Sequence, residues 1–344
     1  MFRQFFDKTS HTYTYLLADE EGNAVLIDPV RGQEERDLTQ LGELGLTLRA
    51  VLETHVHADH ITAAAEIKAR TGCAIVYPSS SDAVGADRYL DHGEVLAVGG
   101  VRLEALHTPG HTSGCACYRD LDHPWVFTGD TLLIRGCGRT DFQQGDAAAL
   151  YRSVHEHLFT LDDHTVVWPA HDYHGRTAST VGEERAHNPR LGGGRSLEDF
   201  VQTMAELDLA YPRMLDVAVP ANRRLGVPPD PWGDLHRNET ALQAPIAWVR
   251  EHADDVRLVD VRQPDEYHGP LGHVPGAELV PLADLAQSAA DWDRDAPLVL
   301  VCRSGGRSDR AAAQLEAMGF SRVASMTGGT VGWMQGTEPS GSCG

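Results

Sequence analysis

The stretch THVHADH, residues 54–60, constrains this chain more than any other. It sets His55, His57, Asp59 and His60 in one short loop directly after the β-patterned run LRAVLE. Zinc and iron sites need several neutral imidazoles or carboxylates converging at about 2.0–2.2 Å on one point. Three later pieces offer more donors: His111 in HTPGHTSG, Asp130 in FTGDTLL and His171 in PAHDYH, with Asp172 beside the last. Each follows an expected strand end, which is where sites collect on α/β sheets. His11, His92, His123, His164 and His187 stand alone and read as ordinary surface histidines.

The rest of the chain supplies the sheet that such loops need. TYTYLLAD and AVLIDPV read as strands joined by EEGN, a hairpin signal. ITAAAEIKARTG reads as a helix closed by Gly72. Strand and helix patterns go on alternating, so the class is α/β or layered α+β. Near 190–240 the composition shifts: NPRLGGGRSLEDF is a Gly-rich break before a helix and GVPPDPWGD a Pro-rich linker. The boundary is expected near 237, giving units 1–237 (188–237 being a C-terminal helix and linker) and 238–344. The second unit repeats an α/β rhythm through APIAWVREH, RLVDVR, PLVLVCR, RSDRAAAQLEAMGF and RVASM.

Lysine and arginine total 29 against 50 acids, a formal net charge of −21. That charge argues against nucleic acid or an anionic membrane as partner, and an anionic small substrate would need locally placed arginines. No run approaches the roughly 18–20 apolar residues that span a bilayer. MFRQFFDKTSHTYTYLL lacks the zones of a signal peptide, so a cytoplasmic location is the expectation.

Cys73, Cys115, Cys117, Cys137, Cys302 and Cys343 form no CxxC pair and no disulfide-framework spacing. Most read as reduced and structural. Cys302 differs, because it ends the buried run VLVC and is followed by a tight Gly-containing loop and a helix start, RSGGRSDRAAAQL. Backbone N–H groups and the helix dipole stabilise an anion there and lower a thiol pKa. Arg303 and Arg307 are expected to add positive charge.

The order THVHADH, HTPGHTSG, GD, AH resembles the metallo-β-lactamase superfamily over about the first 180 residues. The resemblance implies an αββα sandwich with metal between the sheet edges, either two zinc ions for hydrolysis or one iron. His55, His111 and Asp130 make a 2-His-1-carboxylate set, which with open positions is typical of non-haem Fe(II) oxygenases. RGCGRTDFQQGD (135–146) and SLEDFVQTMAELDLAYPRMLDVAVPAN are similar to the persulfide dioxygenase branch. By that resemblance one Fe(II) sits on His55, His111 and Asp130. Asp59, His60 and His171 are then left as a vacant second site, with His57 and Asp172 as outer residues that orient ligands. The implied reaction takes glutathione persulfide and O2 to sulfite and glutathione. Arg139 and Tyr173, and more weakly Arg176, match positions near the thiol-carrier pocket. Arg139 could instead brace Asp141 or Asp172, and Arg176 could be a solvated charge. A homodimer is the assembly this family would lead one to guess.

LVDVRQPDEYHGPLGHVPGA, VLVCRSGGRSDRAAAQL and GGTVGW resemble the rhodanese sulfurtransferases over roughly 245–335. The resemblance makes Cys302 the nucleophile that accepts a sulfane sulfur, with Arg303, Ser304, Gly305, Gly306, Arg307 and Ser308 as the loop around it. Phosphatases of similar fold use C-x5-R, whereas Cys302 to Arg307 is C-x4-R, a shorter loop better suited to sulfur. Thiosulfate and glutathione are then donor and acceptor, with glutathione persulfide and sulfite as products, or the reverse. Two other readings stay open. One is a dinuclear zinc thioester hydrolase of the glyoxalase II type with a separate sulfurtransferase unit. The other is a sulfur sensor or carrier whose metal domain is inactive.

Overall fold

The computed structural model describes residues 1–207, 209–228 and 230–336, so Cys343 and the remaining C-terminal residues lie outside the described part. Two compact units divide between residues 229 and 230. The sequence reading put the boundary near 237. The earlier division follows from the turn Pro231–Asp234, which belongs to the second unit, and from the short strand after it, which joins that unit's sheet.

In the first unit, Phe2–Phe6 (β1), Tyr13–Ala18 (β2), Asn23–Ile27 (β3), Thr47–Leu52 (β4), Ala74–Pro78 (β5) and Arg88–Leu90 (β6) form a six-stranded sheet in sequence order. Val95–Val98 (β7), Val101–His107 (β8), Ala116–Asp120 (β9), Trp125–Gly129 (β10), Val166–Pro169 (β11) and Ser179–Thr180 (β12) form a second. Successive side chains of a strand point to opposite faces. Thus Tyr15 and Leu17 of β2 enter the core between the sheets with Leu103, Tyr118 and Phe127. Leu16 and Ala18 turn the other way, onto Leu41 and Ile67 of the helices Glu34–Glu43 and Ala64–Thr71. The second sheet buries Cys117, Val126 and Val167 against Leu150, Val181 and Phe200 of the helices Ala147–Ser153, Val181–His187 and Leu197–Ala205. The layers are therefore αββα, and β2, covered on both faces, is buried along its whole length. Gly72 closes its helix in the left-handed region (φ 73°), donating its N–H to Lys68 O at 2.8 Å.

The second unit is one sheet of His236–Arg237 (β13), Leu242–Ala244 (β14), Arg257–Asp260 (β15), Glu278–Leu279 (β16), Leu298–Val301 (β17) and Val323–Met326 (β18), in the order β13-β14-β18-β17-β15-β16. All neighbours are parallel except β13 and β14. Leu298 and Leu300 pack on Ala311, Ala312 and Leu315 of the helix Gly306–Ala317. Val299 and Val301 pack on Ile246 and Val249 of the helix Ile246–Glu251. Helices on both faces explain the unbroken apolar run of β17. Among the described residues no helix is long and apolar enough to cross a membrane.

Candidate functional site

The loops after β4, β8, β10 and β11 carry the donors read from the sequence. Ligand atoms of His55, His111 and Asp130 lie within 4.8 Å of one another, and those of His57, Asp59 and His171 form a second such group. Asp130 touches both. Its Oδ2 is 3.5 Å from His111 Nε2 and its Oδ1 is 3.6 Å from His171 Nε2, which is also 3.6 Å from Asp59 Oδ2. His60 belongs to neither group. Its Nδ1 is 3.1 Å from Asp59 Oδ2, and its buried Nε2 has no hydrogen-bond partner among the described residues.

The hydrogen bonds set the imidazole tautomers. His111 Nδ1 is 2.7 Å from Arg139 O, a carbonyl that only accepts, so Nδ1 carries the proton and Nε2 the lone pair. His171 Nδ1 stands in the same way 3.3 Å from His11 O. Thr54 Oγ1 donates its single proton to Asp28 Oδ2 at 2.8 Å and therefore accepts from His55 Nδ1 at 3.0 Å. Burial, then the neighbouring His57 and His111, hold His55 well below the usual imidazole range, and burial lowers His60 too. Both are thus neutral and able to ligate.

Sequence reasoning missed the residues that hold His57. Its Nε2 lies 3.2 Å from Asp28 Oδ1 and 3.4 Å from Glu53 Oε2, all three side chains being buried. Burial alone would lower the His57 pKa, but Asp28 and Glu53 outweigh it and raise it well above normal. Burial lifts Glu53 to about 7. Asn222, from the helix Leu215–Asn222, donates to the carbonyls of His57 at 2.9 Å and His60 at 2.7 Å, bracing the loop. Two glycines leave room for the donors. A Cβ on Gly129 (φ 52°) would meet Thr54 Oγ1 at 2.8 Å, and one on Gly138 would meet Asp130 O at 2.6 Å and His111 Nδ1 at 2.7 Å. A strand-ending Asp in LIDP was the one legible hint, for Asp28.

The donor set fits a metal ion. Asp130 Oδ1 is buried, faces the cluster and has no hydrogen-bond partner among the described residues, a state that a cation would satisfy. The donors open on a cleft of about 890 Å³ whose lining includes His11, Tyr173, Arg139, Arg176 and Arg213. His11, read as background from the sequence, therefore belongs to the site. Tyr173 is 60% exposed and stacks on His171. Arg139 is engaged by both oxygens of Asp141 at 2.7 Å and donates to Ala210 O at 2.8 Å. Arg176 is likewise paired with Asp172, at 2.9–3.0 Å. Both arginines line the cleft, but each already has a carboxylate partner.

In the second unit Cys302 follows β17 and is buried. Its Sγ accepts from Gly305 N at 3.1 Å and lies 3.4 Å from Ser308 Oγ, whose proton is shared with Gly305 O at 2.7 Å, while Ser325 Oγ donates to Ser308 at 2.8 Å. Burial pushes the thiol up, but Ser308 and the N–H groups of Ser308, Ser304 and Gly305 outweigh it and lower its pKa. Gly305 adopts φ 114°, which lets the loop curl over the sulfur. Arg307 forms a bidentate pair with Glu266 at 2.6 and 2.7 Å and is at the same time attracted by the Cys302 thiolate. Arg303 is exposed, and Gly306 opens the helix.

Fold and donors together define a metal-binding enzyme of the metallo-β-lactamase fold joined to a rhodanese-like unit. The metallo-beta-lactamase superfamily model matches residues 8–171 and the rhodanese-like domain model residues 245–335. The chain belongs to the persulfide dioxygenase family. It is 50% identical over 233 residues to persulfide dioxygenase ETHE1, mitochondrial, of Bos taurus, covering 67% of this chain and 91% of that protein. The crystal structure of ETHE1 from Myxococcus xanthus matches with 50% identity and a TM-score of 0.64, over 66% of this chain and 99% of that one. Hydroxyacylglutathione hydrolase GloC of Haemophilus influenzae is more distant, at 34% identity over 51% of this chain and 91% of that protein.

Proposed function

We propose that the first unit oxidises glutathione persulfide with O2 to sulfite and glutathione. The balance is GSSH + O2 + H2O → GSH + H2SO3, in which the sulfane sulfur gives up the four electrons that O2 takes. The observation that carries the reading is the convergence of His55, His111 and Asp130, two imidazoles and one carboxylate, with His111 and Asp130 lining the cleft. Those three residues would hold one Fe(II). Bound there, iron supplies redox chemistry and open positions for a soft sulfur and O2, which zinc, being d¹⁰, does not offer.

The chain's own residues bind and orient. The carbonyl of Arg139 and the hydroxyl of Thr54 fix the protonated nitrogens of His111 and His55, leaving the other nitrogens free for ligation. Tyr173, exposed at the cleft, supplies a hydroxyl to the thiol carrier. The Arg139–Asp141 and Arg176–Asp172 pairs shape the cleft wall.

In the second unit the Cys302 thiolate takes a sulfane sulfur from thiosulfate, releasing sulfite, and passes it to glutathione, or runs in reverse. A shared persulfide links the two units chemically. A dinuclear zinc thioester hydrolase is the second reading, favoured by Asp59 and His171 gathered beside Asp130 and by the similarity to GloC. The test is oxygen uptake by the Fe(II)-loaded chain given glutathione persulfide, with sulfite assayed alongside. Uptake matched by sulfite and lost in His111→Ala but not in Cys302→Ser supports the dioxygenase. Hydrolysis of a glutathione thioester by the zinc form, without O2 uptake, supports the hydrolase.

A further inference from the structure

The charges around the sulfur-transfer loop bear on which sulfur donor it takes. A dianion is best met by an unpaired arginine whose fork faces it, as a point of bidentate recognition. Here the fork of Arg307 closes on Glu266, from the short helix Pro264–Tyr267, one nitrogen donating to each carboxylate oxygen at 2.6 and 2.7 Å. The pairing holds the Glu266 carboxyl at about 2, so it stays ionised across the working range. The next arginine inward, Arg262, is buried and equally committed, to Asp260 at 2.7–3.0 Å. The hydrogen bonds to the Cys302 sulfur come from neutral groups, the Ser308 hydroxyl and backbone N–H groups, while Arg307 attracts the thiolate from its paired position.

We infer that Glu266 is a specificity-determining residue of the second unit. By offsetting the charge of Arg307 it biases the loop toward the uncharged terminal S–H of a low-molecular-weight persulfide and against dianions such as thiosulfate. The favoured step is balanced without any further reagent. The Cys302 thiolate attacks the terminal sulfur of RSSH, the new bond forms at Sγ, the RS–S bond breaks, and RS⁻ leaves with the electron pair and takes the proton. The inference rests on the reading of Cys302 as the sulfur-accepting nucleophile and names which donor it prefers.

The test compares thiosulfate and glutathione persulfide as sulfur donors to a common thiol acceptor, using the full chain and its Glu266→Gln variant. Gln keeps a carbonyl oxygen for Arg307 while removing the negative charge. Because the pair is partly exposed and therefore screened, the expected rise in the thiosulfate-to-persulfide ratio of kcat/KM is about three- to tenfold, shrinking at high salt. Glu266→Gln/Arg307→Gln, which removes both charges together, is expected to return the ratio to near its original value. An unchanged ratio in Glu266→Gln, with both donors slowed alike, overturns the inference and makes the pair a structural brace. If Glu266→Gln does not fold, the double variant decides: a ratio moved far from that of the unaltered chain overturns it. Cys302→Ser separates the two levels, since transfer surviving in that variant would sink the functional reading itself.

Discussion

The carbonyl oxygen of Arg139 accepts the Nδ1 proton of His111 at 2.7 Å, so a residue named from the sequence for its side chain acts on the site through its backbone. The loop between β10 and the helix Ala147–Ser153 thus carries Asp130 and also orients His111. Gly138 is the point where that loop passes closest, with Asp130 O and His111 Nδ1 less than 3 Å from where a Cβ would stand.

Gly138→Ala should therefore weaken metal binding without touching a ligand. Disturbing the partner that orients a ligating imidazole typically costs about 10–100-fold in metal affinity. Competition with a chelator, read by elemental analysis, measures it. Wild-type retention of iron would show that the loop relaxes around the methyl group.

The second donor group gives a separate test of metal number. If iron is held by His55, His111 and Asp130, Asp59→Ala should keep about one iron per chain and retain most of the O2 uptake, whereas His111→Ala loses both. Metal content falling from two to one in Asp59→Ala would favour the dinuclear reading.

The Cys302 thiol is predicted to titrate below the ordinary cysteine range. Its thiolate persists to lower pH than that of a free cysteine and disappears as pH falls through the depressed pKa. Cys115, Cys117 and Cys137, pushed by burial to about 12, 11 and 11, stay protonated throughout the neutral range. Ultraviolet thiolate absorbance against pH, with Cys302→Ser as the blank, should show a transition below the ordinary cysteine range. Ser308→Ala should move it to higher pH, because the hydroxyl that donates to the sulfur is gone.

Gly329 supports the same loop from behind. It sits at φ 56°, and a Cβ there would overlap the Cys302 carbonyl oxygen. Gly329→Ala should destabilise the second unit by about 1–3 kcal/mol from the backbone conformation alone. Sulfur transfer should fall while iron-dependent O2 uptake continues. Equal loss of both activities would mean that the first unit depends on the second for its fold.

The sequence alone was enough to point to the residues that the fold gathers and to the buried Cys302, because each sits at a strand end whose apolar pattern is local: His55 after β4, Asp130 after β10, Cys302 after β17. It was also enough for the order of the elements, since β2 and β17 read as strands from a few consecutive residues. What only tertiary structure decided was how charges pair and which nitrogens are protonated. Asp28 and Glu53 reach His57, Asn222 reaches the loop from 162 positions away, and Glu266 reaches Arg307 across 41. Arg176 and Arg307 looked like free cations in the sequence, and a brace from Arg139 to Asp141 was one of two open readings; each of the three is matched by a carboxylate in the fold. A side chain's type and local pattern are written in its own segment. Its electrostatic state depends on whichever distant group the packed layers bring within a few ångströms.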